Sequence, residues 1–157
     1  MPALTWNSAA GDLTIGGVSM NTPAWKVLNL AVLWQPAAQR GQDRLVPSAT
    51  GVRKFQRRAT VTEHDLELLI VGSHTRTGST NADLFEGLQV NVDYLISNVV
   101  NPTGATDGTR SAVLTMPDGT TRTEPVHVTG MQFGETSQDG AYLKAVLSIS
   151  VPSGRII

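Results

Sequence analysis

The sequence predicts a mainly β protein with one helix, in the form of an antiparallel β-sandwich or barrel with the helix packed against it. Three observations support this fold class. Glycine, threonine and serine are plentiful while charged residues make up only 16% of the 157 residues, which is typical of a β-rich domain with many turns. One segment, 81–98, has helical periodicity. The segments after residue 110 alternate or contain turn residues, as strands in hairpins do.

Length and composition limit the classes of function. We expect one domain over residues 1–157, long enough to bury a core. The absence of cysteine excludes thiol catalysis, thiolate zinc sites and disulfides. The net charge of −1 gives no overall attraction to nucleic acid or to an anionic membrane. The start of the chain lacks the pattern of a signal peptide, and no apolar run approaches the ~20 residues of a membrane span.

The first half of the chain predicts short strands separated by breaks. Residues 1–10 are small and polar and are expected to form a loose arm. The segment around Gly16-Gly17 predicts a short hairpin or a bulged strand. The apolar stretch from Trp25 to Trp34 has strand length, and residues 35–51 are predicted to form a long loop because prolines and glycines interrupt them. A buried strand is predicted over 60–71.

The helix is predicted over residues 81–98. Its apolar residues recur at helical spacing and form one stripe, made of Leu84, Phe85, Leu88, Val92, Leu95, Ile96 and Val99. Thr80 and Asp83 have the spacing of a capping box, and Asn101-Pro102 ends the helix. Burial of these side chains, at ~1.5–3 kcal/mol each, is similar in size to the ordering cost of ~1–2 kcal/mol per residue. The helix must therefore lie on the sheet.

The last third of the chain predicts hairpins. Pro117-Asp118-Gly119 has turn chemistry between two strand-like segments. Pro125 in the second of these segments marks an edge or a bulge. Residues 141–151 alternate between apolar and polar side chains and predict a strand. Because this strand has no proline and only one charge, Lys144, we expect it to be a poorly protected edge.

No residue pattern indicates catalysis or metal binding. In Glu63-His64-Asp65, neighbours on a strand point to opposite faces, so the histidine cannot share a site with both carboxylates, and a solvated strand end is expected. His74 lies in a polar loop and His127 alternates with valines. No nucleophile elbow or phosphate loop occurs. We therefore expect a protein that is not an enzyme, with no catalytic or metal site, no cofactor and no small-molecule substrate.

Basic residues are concentrated in one segment. The cluster consists of Arg53, Lys54, Arg57 and Arg58. Arg40 and Arg44 in the preceding predicted loop add to it. Such a cluster can face phosphates or an acidic partner, or it can be the solvated face of a strand. Phe55 is the one aromatic residue within the cluster, so the stacking platform of single-strand binders is missing.

Trp25 and Trp34 are two large aromatic residues in a stretch without reactive groups. Both can belong to the core, but tryptophan is also enriched at the centres of binding surfaces. If the stretch is one unbroken strand, their odd separation points them to opposite faces. One indole would then face the core, and the other would be covered by the helix or by a neighbouring subunit. The two tryptophans, Arg40 and Arg44 are therefore candidate subunit-interface residues.

The order of these features resembles the tail proteins of long-tailed bacteriophages. The first part of the resemblance is L-T-I-G-G-V-x-M-N-T-P-A-W-x-V-x-x-L, from Leu13 to Leu30, followed by a basic loop that ends in Pro47-x-x-x-Gly51. A strand follows, and then a helix of the type G-L-x-x-N-x-x-x-L, which begins at Gly87. The closing strand ends in V-P-S-G at 151–154. The layout is most similar to distal-tail and minor-tail proteins built on the tail-tube fold.

This resemblance implies a tail-tube β-sandwich with a flanking helix, assembled as a ring, commonly of six subunits, around the channel through which DNA passes. The chain would be a structural protein of the virion tail. Its partners would be copies of itself, other tail proteins and passing DNA contacted without sequence specificity, with no membrane partner. The basic cluster would face the channel or a subunit interface, and the loop at 35–51 would lie on the next subunit or ring.

Several alternatives remain open at the level of sequence. Distal-tail proteins often carry a further carbohydrate-binding-like domain, for which 157 residues are too few. A major tail tube protein, a tail terminator or a head–tail connector is therefore an alternative within the tail. A small nucleic-acid-binding β-barrel that uses the basic cluster is the alternative outside it.

Overall fold

A seven-stranded antiparallel sheet, covered by one helix, dominates the structure. The computed structural model describes residues 12–34, 39–40, 43–45, 52–54, 58–59, 62–101, 109–116 and 118–152. The strands are β1 (Asp12–Ile15), β2 (Val18–Ser19), β3 (Trp25–Val27), β4 (Gln39–Arg40), β5 (Asp43–Leu45), β6 (Val52–Lys54), β7 (Arg58–Ala59), β8 (Thr62–Val71), β9 (Thr109–Thr115), β10 (Thr121–Thr136) and β11 (Tyr142–Val151). The order in the sheet is β2-β1-β9-β10-β11-β8-β3. The mainly β fold class with one helix, predicted from the sequence, is confirmed.

The long strand β10 belongs to two groups of strands. Residues Thr121 to His127 pair with β9, whereas the pairing with β11 runs from His127 to Thr136 and contains register shifts. The apolar faces of the two groups, β2-β1-β9-β10 and β10-β11-β8-β3, contribute to one core together with the helix. The sheet and the helix therefore share one hydrophobic core.

The two end strands of the sheet, β2 and β3, are joined by residues 20–24. The six Cα–Cα steps from Ser19 to Trp25 span at most ~20 Å, so the sheet must curl until its ends are close. The Trp25 indole Nε1 donates to the Ser19 carbonyl at 3.1 Å and ties the ends together. The Asn21 side chain also links the two ends of the sheet. It donates to the Asp12 carboxylate of β1 at 2.7 Å and accepts from the Val27 amide of β3 at 3.1 Å.

The turn between β9 and β10 follows the predicted chemistry. The Asp118 carboxylate accepts from the Thr120 hydroxyl at 2.6 Å and from its amide at 2.9 Å, and these bonds lower the pKa of Asp118. Gly119 has φ +85°, which favours glycine. Pro125 lies opposite Ser111 of β9, before β11 begins to pair, so its predicted edge position is confirmed. Pro117 lies outside the described residues.

The helix α1 runs from Leu84 to Leu95 and continues as a π-helical turn over Ile96–Val100. Asp83 is the N-cap, because its carboxylate accepts from the Glu86 amide at 3.0 Å. The predicted start at residue 81, with Thr80 in its cap, is wrong, since the helix begins at Leu84 and Thr80 forms an isolated β-bridge with His74. The helix ends at Asn101, whose amide donates to the Ile96 carbonyl at 2.7 Å.

The helix packs on the sheet through small and polar contacts as well as apolar ones. Its buried residues in α1 are Gly87, Leu88, Asn91 and Leu95, the residues named in the helix motif. A Cβ on Gly87 or on Gly72 would collide with backbone atoms of the other segment, so two glycines set the close approach. The Asn91 amide donates to the carbonyls of Val71 and His74 at 2.8 and 2.9 Å. The predicted stripe is wrong at Phe85, which is 68% exposed.

The apolar stretch from Trp25 to Trp34 is not one strand, which corrects the prediction. β3 ends at Val27, and a 3-10 helix occupies Leu30–Trp34. The Asn29 side chain takes the place of a further β3 residue, because it donates to the Asp65 carbonyl at 2.9 Å and accepts from the Glu67 amide at 2.8 Å. These bonds satisfy the edge of β8 while the backbone leaves the sheet.

β11 is not an edge strand, which corrects a second prediction. It pairs with β10 on one side and with all ten residues of β8 on the other. A nearly uncharged strand therefore lies in the middle of the sheet, where its backbone groups are paired.

Part of the predicted long loop pairs with the segment that follows it. β4 pairs with β7, and β5 pairs with β6, in two antiparallel ladders outside the main sheet. The prediction of a loop is wrong for the paired residues. The prolines and glycines around them indicate a loop, and the strands between are too short to show an alternating pattern. The rest of the segment 35–51, and the predicted arm at 1–10, lie outside the described residues.

Candidate assembly surfaces

The edges of the sheet are the first candidate surface, because unpaired backbone groups attract further strands. Most edges have a visible protection. β2 and β3 have only two and three residues. The middle of β8, at Asp65 and Glu67, is covered by the Asn29 side chain and by the Leu28 amide, which donates to the Glu67 carbonyl at 2.8 Å. The first half of β10 carries Pro125, which lacks the N–H that an incoming strand needs.

The second half of β10 has no such protection from the residues that the structure describes. Residues 128–136, called the open edge below, pair with β11 on one side, and no strand among the described residues lies on the other. The π-helical turn packs near β10, but no described backbone hydrogen bond joins the two. The segment has no proline, and its one charge, Glu135, pairs with Lys144 at 3.3 Å. Phe133 is 51% exposed.

An apolar groove adjoins the open edge. It lies between α1 and the β10–β11 hairpin and has a volume of about 230 Å³. Its lining residues are Phe85, Leu88, Gln89, Val92, Thr136 and Leu143. Thr136 belongs to both the groove and the open edge, so the two form a continuous surface.

The two ladders outside the sheet carry most of the predicted basic residues; they are called the basic ladders below. Arg40 stands opposite Arg58 in one ladder, and Arg44 stands opposite Arg53 in the other. Like charges at opposite positions destabilise an antiparallel pair. Residues 39–59 hold six of the twelve basic residues and one of the thirteen acidic ones, so they carry +5 while the rest of the chain carries −6.

The structure places several of the basic residues singled out in the sequence at register positions in one or the other of the two ladders. Those with a place in a ladder are Arg40, Arg44, Arg53, Lys54 and Arg58. Lys54 stands opposite Asp43. Arg57 lies outside the described residues. Their assignment to an interface or to a DNA channel stays a prediction.

The structure separates the two tryptophans. Trp25 is fully buried, and its indole stacks on Tyr94 with 5.9 Å between ring centroids. Its assignment to a subunit interface is therefore wrong, because the helix of the same chain covers it. Trp34 ends the 3-10 helix, and its side chain lies outside the description, so its assignment stays a prediction.

His64 is buried, in contrast to the solvated strand end that the sequence predicted. It is 2% exposed, while Glu63 and Asp65 beside it are exposed. Neither ring nitrogen has a hydrogen-bond partner among the described residues. Burial lowers the pKa of His64, against the smaller opposite effect of the Asp65 carboxylate.

The described residues contain no group of three or more histidines and carboxylates able to hold a metal ion. They also contain no helix of the length and apolar character needed to cross a membrane.

Sequence reasoning missed the open edge and the groove. The segment V-T-G-M-Q-F-G-E-T predicts a returning hairpin strand, but not which of its sides lacks a neighbour. One local signal was present: Phe133 lies between Gly130 and Gly134, in a place where a large apolar residue has little cover along its own strand.

Comparison with known proteins supports a fold assignment. No family model and no curated protein matches this chain. One matching solved structure is the Dit protein (gp 19.1) of SPP1, described as a paradigm of the hub adsorption apparatus in phages that infect Gram-positive bacteria. The TM-score is 0.60 at 13% sequence identity, and the match covers 92% of this chain but 50% of that one. This chain thus spans half the length of that hub protein and shares its phage tail-type fold.

Proposed function

We propose that this chain is a structural protein of the tail of a long-tailed phage, and that copies of it form a ring around the channel through which DNA passes. The observation that carries the proposal is the fold match, which extends over 92% of the chain. The distal tail is the favoured position, because the matched protein is described as part of a hub. A hexamer is the favoured ring.

The proposed mechanism is assembly without turnover. A ring needs two different surfaces that bind each other head to tail. The open edge and its groove supply one surface, and the basic ladders are separate from them in the chain. Other tail proteins would stack above and below the ring, and DNA would pass without sequence-specific contacts.

Native mass spectrometry of the purified full chain over a range of concentrations tests the ring. We expect one discrete assembly, and negative-stain images of the same sample should show a central hole. Labelling of intact virions with an antibody against the chain should mark the tail. A chain that stays monomeric at every concentration, and is also monomeric when extracted from tails, would contradict the proposal.

A small nucleic-acid-binding protein is the second candidate, favoured by the like-charged register pairs of the basic ladders. The two candidates differ in how they bind DNA. Weak DNA binding that is lost between ~50 and ~200 mM salt fits a channel wall, because contacts to the DNA phosphates weaken strongly over this range. Tight binding that survives the higher salt would favour the second candidate. The double variant Arg44→Glu/Arg53→Glu, with Arg122→Glu as the control outside the ladders, locates any binding.

A further inference from the structure

We propose that a cavity between α1 and the turn that follows β8 binds a small anion that also carries hydroxyl groups, such as a hydroxy acid or a polyol phosphate. The cavity, called the turn pocket below, is lined by four residues of the turn at 75–79 and by Val90, Asn91 and Tyr94 of α1. Its volume of about 280 Å³ is just below the ~300–1,000 Å³ of most small-molecule pockets, so its ligand is small. This inference goes beyond the proposed ring and does not depend on it.

The turn that forms one wall of the pocket is held by its own hydrogen bonds. The Thr75 amide donates to the Ser79 carbonyl at 2.8 Å, and the Ser79 amide donates to the Thr75 hydroxyl at 3.1 Å. The Gly78 amide donates to the Thr75 carbonyl at 3.0 Å. The hydroxyl side chains of Thr75, Thr77 and Ser79 therefore line the turn pocket on a backbone that is ordered before a ligand arrives.

Asn91 supplies a fixed hydrogen-bond acceptor on the helix side. It is 4% exposed, and its side-chain nitrogen donates to the carbonyls of Val71 and His74 at 2.8 and 2.9 Å. With both amide hydrogens used, the orientation of the side chain is set, and its carbonyl oxygen accepts no hydrogen bond from a described residue. Because Asn91 lines the turn pocket, this oxygen favours a ligand that donates a hydrogen bond.

Arg76 supplies a cation in a defined position. Its guanidinium carbon lies 4.6 Å from the centroid of the Tyr94 ring, within the range of a cation–π contact. The guanidinium forms no ion pair with a carboxylate of a described residue. Stacking limits the rotamers of this long side chain, so less entropy is lost when its N–H groups bind an anion. Arg76 therefore favours a carboxylate or a phosphate as the charged group of the ligand.

The two requirements together define the class of ligand. A simple phosphate fits Arg76, but it presents mainly acceptor oxygens to the Asn91 oxygen. A neutral polyol fits Asn91 and the hydroxyls of the turn, but it leaves the arginine without a counter-ion. An anion with hydroxyl groups satisfies both, and its carbon atoms can pack against Val90 and the Tyr94 ring.

The carboxylates nearest to the pocket along the helix are too distant to exclude an anion. Asp83 and Glu86 line a separate pocket, which shares Val90 with the turn pocket. Glu86 and Tyr94 are eight residues apart, which is ~12 Å along the helix axis. This distance exceeds the Debye length of ~8 Å at physiological salt, so the repulsion between Glu86 and an anion at Arg76 is largely screened.

Ligand-observed saturation-transfer NMR on the purified full chain tests the turn pocket, and it works for a monomer and for a ring. The probes are glycerol 3-phosphate and glycerate, which are both hydroxylated anions. Glycerol and methyl phosphate are the matched control probes, each with only one of the two features. We expect both hydroxylated anions to bind at least ~10-fold more tightly than either control, since each control leaves a polar group of the pocket unpaired.

Substitutions locate the binding, and circular dichroism verifies that each variant is folded. Arg76→Gln removes the charge and should weaken binding of both anions at least ~10-fold. Arg122→Gln, at an exposed position of β10 outside the pocket, should leave both affinities unchanged. Thr77→Val/Ser79→Ala removes two hydroxyls of the pocket but keeps the Thr75 hydroxyl that holds the turn, and it should weaken binding by ~5-fold or more.

A preference for one of the two anions identifies the charged group and supports the proposal. Two results overturn it. If neither hydroxylated anion binds more tightly than glycerol and methyl phosphate, the pocket does not select for both features. If Arg76→Gln and Arg122→Gln weaken binding equally, general charge attraction holds the anion and the turn pocket does not. Neither result affects the proposed ring, which native mass spectrometry tests separately.

Discussion

The helix-covered end of the sheet and the second half of β10 differ in how completely their backbone is paired. Under the helix, Asn91 donates to two carbonyls and Asn81 donates to the Gly72 carbonyl at 2.9 Å. Along residues 128–136 no described side chain plays that role on the side facing away from β11. Polar side chains therefore close the backbone where the helix packs on the sheet, and no described side chain does so along residues 128–136.

The largest difference between the two regions is expected from adding one methyl group. Gly72→Ala should prevent stable folding, because the new Cβ would overlap the Leu84 carbonyl in tightly packed backbone. Gly130→Ala in the open half of β10 meets nothing within 4 Å and should leave the free energy of unfolding unchanged within ~1 kcal/mol. Urea unfolding followed by circular dichroism measures both. Equal stabilities of the two variants would refute the close approach of helix and sheet.

A second pair of substitutions separates stability from assembly. Trp25→Phe removes the indole bond to the Ser19 carbonyl and should lower the free energy of unfolding by about 1–3 kcal/mol, because a partly buried acceptor loses its donor and the buried side chain becomes smaller. Phe133→Ala should cost less than ~0.5 kcal/mol, since half of the side chain is already in water. The same two proteins in sedimentation experiments should show the reverse ranking for assembly. A Phe133→Ala chain with a much lower free energy of unfolding and unchanged assembly would contradict both expectations.

The smallest effect expected is the pH dependence from His64. Its pKa is lowered from the usual 6.5, so between the lowered value and 6.5 the folded chain binds fewer protons than the unfolded chain. The contribution of neutral His64 to the free energy of unfolding is therefore complete above pH ~6.5, and it decreases as the pH falls through that window. His64→Leu should flatten the pH profile of unfolding between pH 5 and 7. His127→Gln is the control, and an equal flattening in both variants would exclude His64 as the cause.

Local signals in the sequence predicted the elements that depend on neighbouring residues. The turn at Asp118-Gly119, the strand at 60–71 and the helix come from turn chemistry and periodicity, which act within a few residues. The motif from Leu13 to Leu30 contains the connection between β2 and β3. Its apolar residues apart from Val18 and Pro23 are buried, and the side chains of Asn21 and Trp25 bond across this connection.

The remaining features depend on which segments meet in space. Residues 141–151 alternate like any half-buried strand, and their central position is set by β8 and β10 on either side. Gly87 costs helix propensity, and only the nearby backbone of Gly72 shows why a side chain is excluded. The open edge is invisible for the same reason, because an unpaired side of a strand is defined by where its neighbours end.

Electron cryomicroscopy of the purified assembly, at a resolution that traces individual strands, tests the central claim most directly. The account predicts a closed ring formed by copies of this chain around a central channel. A monomer, or an assembly without a central channel, would contradict it.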